Sequence, residues 1–330
     1  MSGSSVQVSA LLADMLRRYL DGRAVDAPAL RAELAALSRQ QRMPIETWWR
    51  LLREIEACVP DPATGLAIGM QAELRDLGVL GYLAAACSTL GQVLERFQRY
   101  QPLIHNLSLS KLIHHGDTVQ ISWDSAYGIS TRLSDEVLVA AMLAVTRRLV
   151  GSAFALHSVT FFGSAPANLS VYEQRLGCPV RFGAQTLDLY LPIEALMLPI
   201  NTSDPYLMEL MEQQAQALVQ AIPQPDALLA QLQQLLVDIL QEGEPTCERV
   251  AAQIGIPERT LYRRLRERGC SYKGILTDLR KQLALRYLAD ANLSLPEIAQ
   301  LLGYSEQSAF TRAFGHWFGV TPLRHRQTSS

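Results

Sequence analysis

The side chains best placed to do chemistry in this 330-residue sequence are a set of arginines and small polar residues spaced for a helix surface. Arg259, Arg263 and Arg266 recur at intervals of three and four, with Thr260 and Arg264 beside them. At 100° per residue they fall on one face of a helix, and Leu261 and Leu265 fall on the other. A guanidinium presents a planar fork of donors that pairs with the O6 and N7 acceptors of guanine, so an arginine-faced helix fits the major groove of DNA. Further on, Gln307, Ser308 and Thr311 point outward near the start of a second helix. Arg312 lies beside them for phosphate, and Ala309, Phe310, Ala313, Phe314 and Trp317 form the buried side. The candidate DNA-contacting residues are therefore Arg259, Thr260, Arg263, Arg264, Gln307, Ser308, Thr311 and Arg312.

The elements that must hold these residues repeat. Val250-Ala251-Ala252-Gln253-Ile254-Gly255 precedes the first helix, and Ile298-Ala299-Gln300-Leu301-Leu302-Gly303 precedes the second, with the glycines 48 residues apart. Each glycine sits where a helix ends in the left-handed conformation, which glycine adopts without steric cost. Ser294-Leu295-Pro296-Glu297 reads as a capping box, and Pro257 suits the first turn of the helix that follows it. Two tandem helix-turn-helix units with basic outward faces are a far more specific signal than one.

These residues resemble the DNA-binding domain of the AraC/XylS family of bacterial transcription regulators from about Asp226 to Arg326. The most specific stretch runs from Glu297 to Phe314 and continues through Trp317-Phe318-Gly319-Val320-Thr321-Pro322 to Arg324. The resemblance implies two subdomains joined by a long helix, here Tyr272 to about Ala289, and recognition helices in successive major grooves. It also implies double-stranded operator or promoter DNA as partner, and activation through RNA polymerase. Gly315-His316 stands where the family has basic residues, and Ile256 where a polar N-cap is usual.

The charge agrees with a localised footprint. The chain carries a formal net charge of −2, yet residues 246–330 hold 13 Lys and Arg against 7 Asp and Glu. A basic C-terminal quarter on an otherwise acidic chain presents one electrostatic surface to a polyanion.

Catalysis finds no support. The sequence has no GxSxG elbow, no glycine-rich phosphate loop and no HExxH helix. His114-His115 reads as part of a turn, and adjacent residues on a strand would point to opposite faces, so no metal is expected. Alkylation-repair proteins join a related DNA-binding fold to a reactive cysteine and a zinc site. The five cysteines, Cys58, Cys87, Cys178, Cys247 and Cys270, lack the clustering that zinc requires and read as reduced core thiols. No cofactor is expected.

The N-terminal part reads as an α+β domain, with helices and an antiparallel sheet, followed by an all-α DNA-binding domain. Residues 9–100 are helical in pattern, with Pro44 opening a helix that carries Trp48, Trp49, Leu52 and Ile55. Leu107–Ile113 and Thr118–Trp123 read as a hairpin, His157–Phe162 as a strand, Leu169–Leu176 as a helix, and Pro179–Leu191 as a further strand pair. Domain boundaries follow: a regulatory domain over 1–205, a helical linker over 206–225, and the DNA-binding domain over 226–330. This N-terminal part also resembles the effector domain of the ornithine-utilisation-regulator subfamily of the same family. The resemblance is carried by Gly81-Tyr82, Leu90-Gly91, Phe162 to Pro166, Tyr172 and Pro179-Val180-Arg181-Phe182. Such domains are described as arabinose-binding, but a helical start does not fit a sugar-binding β-barrel, and no sugar is inferred.

Aromatics with polar tips gather here, and Tyr82, Tyr100, His105 and Trp123 are the candidate ligand-binding residues, with Tyr127 and Tyr172 of the same type. The domain is expected either to sense a small-molecule effector or to serve as a dimerisation or partner module. Apolar stripes at Leu207, Leu210, Met211 and Leu218, and at Leu228, Leu232, Leu235, Leu236 and Ile239, would pack within their own domains or form a dimer seam. Asp14, Arg17 and Arg18 interrupt the early apolar stretch, so neither a secretory signal nor a membrane span is expected, and the location expected is cytoplasmic.

Overall fold

The computed structural model describes residues 6–23, 25–107, 109–124, 130–222, 227–289 and 293–329. Ser108, Tyr127, the 223–225 part of the expected linker and Asp226 lie outside the described residues. The described residues form two compact units, one ending at Ile222 and the other starting at Ala227.

The N-terminal unit opens with strand β1 (Gln7–Ser9), helices α1 (Leu12–Asp21) and α2 (Pro28–Leu37), and strand β2 (Arg42–Pro44). Helices α3 (Ile45–Cys58), α4 (Thr64–Gly69), α5 (Val79–Ala86) and α6 (Leu90–Tyr100) follow. Then come strands β3 (Lys111–His115) and β4 (Thr118–Asp124), helix α7 (Arg132–Val150), strand β5 (Ser158–Phe162), helix α8 (Leu169–Leu176), strands β6 (Val180–Ala184) and β7 (Thr186–Pro192), and helix α9 (Pro205–Ala221). Hydroxyl and carboxylate caps start three of the helices. Thr89 Oγ1 accepts from the Gln92 amide, Thr131 Oγ1 from that of Ser134, and Asp204 Oδ1 from those of Tyr206 and Leu207.

Five strands pair in the order β3-β4-β7-β5-β6. Alternate residues of the two central strands, Val119, Ile121 and Trp123 against Leu191, Leu189 and Leu187, face one core. Helices α4, α6, α7 and α8 supply its other half through Leu66, Leu90, Leu94, Leu143 and Tyr172. Helices α4 and α7 approach so closely that a Cβ on Gly65 would lie 2.6 Å from the Cβ of Glu136. That contact closes over a fully buried carboxylate. Glu136 accepts from Arg132 Nη1 at 2.6 Å, from the Tyr172 hydroxyl at 2.5 Å and from the Gly65 amide at 3.0 Å. Arg132 also reaches Glu56 at 2.6 Å. Burial lowers the pKa of this guanidinium, but Glu136 and Glu56 outweigh that and raise it, so Arg132 is firmly charged.

Three expectations need correction. The sheet is antiparallel except at one edge, where β5 and β6 run parallel, because α8 carries the chain back to the same end of the sheet. The 179–191 stretch supplies two strands that are not neighbours, since β5 lies between them. His114 and His115 end β3 and only Gly116-Asp117 forms the turn, with His115 Nε2 2.6 Å from Gln120 Oε1. β2, inside the 9–100 region read as helical, pairs with β1 at its very start in a small antiparallel ribbon, three residues on each strand.

Helix α9 presents two apolar sides. Met208, Met211, Ala215 and Val219 pack with Leu80, Leu83, Tyr100 and Ile104, and Glu212 accepts from Arg96 at 3.0 Å. Away from that contact, Tyr206 is 79 % exposed, Leu210 48 % and Leu218 41 %.

The C-terminal unit is helical throughout: α10 (Ala227–Glu242), α11 (Cys247–Ile254), α12 (Glu258–Glu267), α13 (Tyr272–Ala289), α14 (Leu295–Leu301), α15 (Gln307–Phe318) and α16 (Pro322–Ser329). Leu232, Leu236, Ile239, Val250, Leu261, Leu265, Leu283, Ile298, Phe310 and Phe314 are buried. Both ends of α13 are tied: the Tyr272 hydroxyl donates to Pro245 O at 2.7 Å, and Arg326 on α16 donates to Leu288 O and Leu293 O.

Candidate nucleic-acid interface

The internal repeat of the sequence is also a repeat of hydrogen bonds. At the end of α11 the Gly255 amide donates to Ala252 O and the Ile256 amide to Ala251 O. At the end of α14, 48 residues on, the Gly303 amide donates to Gln300 O and the Tyr304 amide to Ala299 O. Gly255 has φ of 77° and Gly303 of 67°, the left-handed values that this six-to-one closure requires. Thr246 caps α11 by accepting from the Arg249 amide at 3.2 Å. Ser294 and Glu297 form the reciprocal box on α14, and the two bonds Glu297 accepts from Ser294 hold its carboxyl below the usual range. Helix α12 begins one residue later than Pro257, which is its N-cap and carries no side-chain cap.

On α12, Leu261 and Leu265 are buried and Arg259, Arg263, Arg264 and Arg266 are exposed, with Thr260 partly so. The Arg263 guanidinium makes one long ion pair, 3.9 Å from Glu267. On α15, Phe310 and Phe314 are buried, Gln307, Ser308 and Arg312 are exposed, and Thr311 is partly exposed. Ser308 Oγ donates to Glu306 Oε2 at 3.0 Å. Each second helix thus shows a hydrogen-bonding outer face over an apolar back, the arrangement that enters a major groove and reads base edges.

The four candidate ligand residues differ in setting. Tyr82 on α5 is 52 % exposed. Tyr100 is buried beside α9, its hydroxyl donating to Glu212 Oε1 at 3.3 Å. Trp123 lies in the other core, edge-on to Phe97, with its indole N–H buried and without a hydrogen-bond partner among the described residues. His105 follows α6, and its Nδ1 is buried without a hydrogen-bond partner among the described residues. The small void between the sheet and helices α6 and α7 is lined by Leu94, Ile121, Met142, Leu143, Phe154 and Leu189 among others, and by none of the four.

Burial, with the nearby Arg42 charge, pushes the His105 pKa from 6.5 down to about 4. The unfolded chain therefore takes up this proton first as pH falls, and the folded unit resists until about pH 4. Stability of the N-terminal unit is expected to drop as pH falls from 6.5 towards 4, and His105→Gln should flatten that slope in urea titrations at a series of pH values. An unchanged slope in the variant would assign the titration to another group.

Burial raises the thiol of Cys247 and pushes those of Cys87 and Cys178 up to about 11, so all three stay protonated at neutral pH. The described residues contain no group of three His, Cys, Asp or Glu able to hold a metal ion, and none of their helices is long and apolar enough to cross a membrane.

What sequence reasoning missed is the support behind the second motif. Arg280, on α13, donates from Nε to Leu302 O at 2.8 Å and from Nη2 to Gly303 O at 3.0 Å. An arginine in a helix whose arginines otherwise read as surface charge gives no such signal by its spacing.

Comparison with known proteins agrees with this architecture. Residues 22–200 match the model of the arabinose-binding domain of AraC transcription regulators, and residues 250–328 match a helix-turn-helix domain. The ornithine utilization regulator of Pseudomonas aeruginosa is 29 % identical over 323 residues, covering 96 % of this chain and 94 % of its own. The HTH-type transcriptional regulator VirS of Mycobacterium tuberculosis is 30 % identical over 289 residues, covering 86 % and 84 %. The crystal structure of the regulator CdpR from Pseudomonas aeruginosa aligns with 96 % of this chain and 98 % of its own, at 25 % identity and a TM-score of 0.49. With one model covering more than half of its length and VirS matched along most of both chains, this chain belongs to the AraC family of helix-turn-helix transcription regulators, DNA-binding proteins and not enzymes.

Proposed function

We propose that this regulator is a cytoplasmic activator that works as a pair of copies, each reading two half-sites with α12 and α15 and recruiting RNA polymerase to the promoter. The DNA-contacting set is Arg259, Thr260, Arg263, Arg264, Gln307, Ser308, Thr311 and Arg312, the last of these on phosphate. The N-terminal unit supplies the pairing surface, and the observation that carries this is the outer side of α9. A helix already packed on one side does not gain by exposing Tyr206, Leu210 and Leu218 to water unless a partner covers them. A second copy brings the same stripe, as an isologous interface requires.

A second reading, that the unit senses a small-molecule effector, is favoured by the match to a ligand-binding domain model over residues 22–200. Binding would then shift a population between weakly and strongly paired states, so the two readings combine naturally.

Light scattering on the full chain is the test. A dimer at micromolar concentration is expected, and Leu210→Glu with Leu218→Glu should return it to monomer and remove cooperative binding to paired sites. A monomeric parent would sink the pairing reading. For the effector, a saturable thermal shift with an amino acid, amine, fatty acid, sugar or aromatic acid is expected. A ligand at a hundred times its Kd adds about 2.7 kcal/mol.

A further inference from the structure

We infer that Arg280 is the positioning residue of the second recognition helix, so that base reading at one half-site is set by a side chain that never reaches DNA. The inference rests on the proposed reading of α12 and α15 as the helices that contact bases.

A helix ends with carbonyls that have no partner within it. At the end of α14 the Leu302 and Gly303 carbonyls accept from one guanidinium, at 2.8 and 3.0 Å, through the Nε and Nη2 donors along one edge of the planar fork. The guanidinium carbon also lies 4.4 Å from the centroid of the Tyr304 ring. That ring also neighbours α15. Tyr304 is 6.1 Å from Phe310, and Phe310 is 5.8 Å from Phe314 in an edge-on arrangement. Phe310 and Phe314 are the buried residues on which α15 rests. A continuous line of contacts therefore runs from the middle of α13, through the turn, to the back of the second recognition helix.

The opposite wall of the turn is also closed. A Cβ on Gly303 would come 3.0 Å from Leu240 Cδ2, 3.2 Å from Gly243 O and 3.2 Å from Pro245 Cδ. The first turn is built differently. A Cβ on Gly255 would meet nothing within 4 Å, and no clamp of the Arg280 kind appears there among the described residues. Two turns with the same backbone bonds thus differ in attachment: the first stands free, and the second is fastened between the end of α10 and Arg280.

Arg280 also lacks any carboxylate within ion-pair distance among the described residues, so its donors are not drawn to a competing anion. Lysine at this position would keep the charge but could not span two carbonyls in one plane or stack flat on Tyr304.

The test uses the full chain and DNA carrying both half-sites, with affinity measured across a panel of single-base substitutions. The half-site read by α15 is the one whose panel changes in Gln307→Ala. In the parent, a wrong base in either half-site should cost about fivefold to a hundredfold. Arg280→Gln is expected to flatten the α15 panel to under about threefold while the α12 panel keeps its full range. Arg280→Lys should regain part of the overall affinity through its charge without regaining the α15 panel, and it carries the test if the glutamine variant fails to fold. Equal flattening of both panels, or no change in either, would overturn the role of Arg280. A parent protein with a single block of base preference would instead overturn the two-helix reading, and the inference with it.

Discussion

Arg259→Ala combined with Arg263→Ala is expected to lower affinity for the specific operator by about 2–6 kcal/mol, the sum of two bidentate base contacts of about 1–3 kcal/mol each. The two side chains share the outer face of α12, one turn apart, and neither is committed to a strong partner among the described residues. Their loss should relax base preference at adjacent positions and leave binding to unrelated DNA much less affected. Arg312→Ala is the contrast. A phosphate contact carries no sequence information, so its loss should weaken all sequences alike and reduce the slope of log affinity against log salt by about 1. Operator titrations at several salt concentrations separate the two cases. If both variants lost affinity uniformly with base preference intact, the division between base and phosphate contacts would be wrong.

The second large effect lies in the N-terminal unit. Glu136→Ala is expected to destabilise it by about 2–5 kcal/mol, the cost of leaving two buried donors without their acceptor, with the half-exposed Arg132 adding little. Three donors lose their acceptor at once: the Arg132 guanidinium, the Tyr172 hydroxyl and the Gly65 amide. Arg132 keeps Glu56, but the hydroxyl and the amide lie beneath the α4–α7 contact, where water cannot replace the lost oxygen. Glu136→Gln keeps the shape and one acceptor, and should cost less than half as much. Urea unfolding followed by the N-terminal tryptophans, Trp48, Trp49 and Trp123, reads both variants. An alanine variant within about 1 kcal/mol of the parent would show that the network is easily replaced by solvent.

How far the sequence speaks depends on whether the signal is local. Helix α8 falls on Leu169–Leu176, as read from the residues, and α13 on Tyr272–Ala289, the range that the family resemblance implies. The 48-residue repeat reappears as matched amide-to-carbonyl bonds because glycine chemistry at a helix end is set within six residues. Strands β1 and β2 stayed hidden because three residues cannot establish an alternation. The parallel β5–β6 edge was illegible for another reason. Val180–Ala184 and Thr186–Pro192 adjoin in sequence like a hairpin, and only the placement of β5 between them shows otherwise. For the interface, the outward arginines of α12 could be read from spacing. Arg280 could not, since its partners are carbonyls more than twenty residues away. The aromatic candidates rest on residue type alone, since composition says which residues could line a site and nothing about whether they meet.

The bracing of α13 bears on how an operator for such a protein can change over generations. Its 18 residues span about 27 Å at 1.5 Å per residue, tied at Tyr272, at Leu288 and, through Arg280, along its length. A strut held in this way has no slack. Each base pair inserted between two half-sites adds about 3.4 Å and roughly a tenth of a turn, which a stiff connector cannot follow. Single-base drift within a half-site lowers affinity by degrees and leaves selection something to act on. A one-base insertion between half-sites removes one of them outright. Operators under this kind of protein are therefore expected to wander in letter while staying fixed in length.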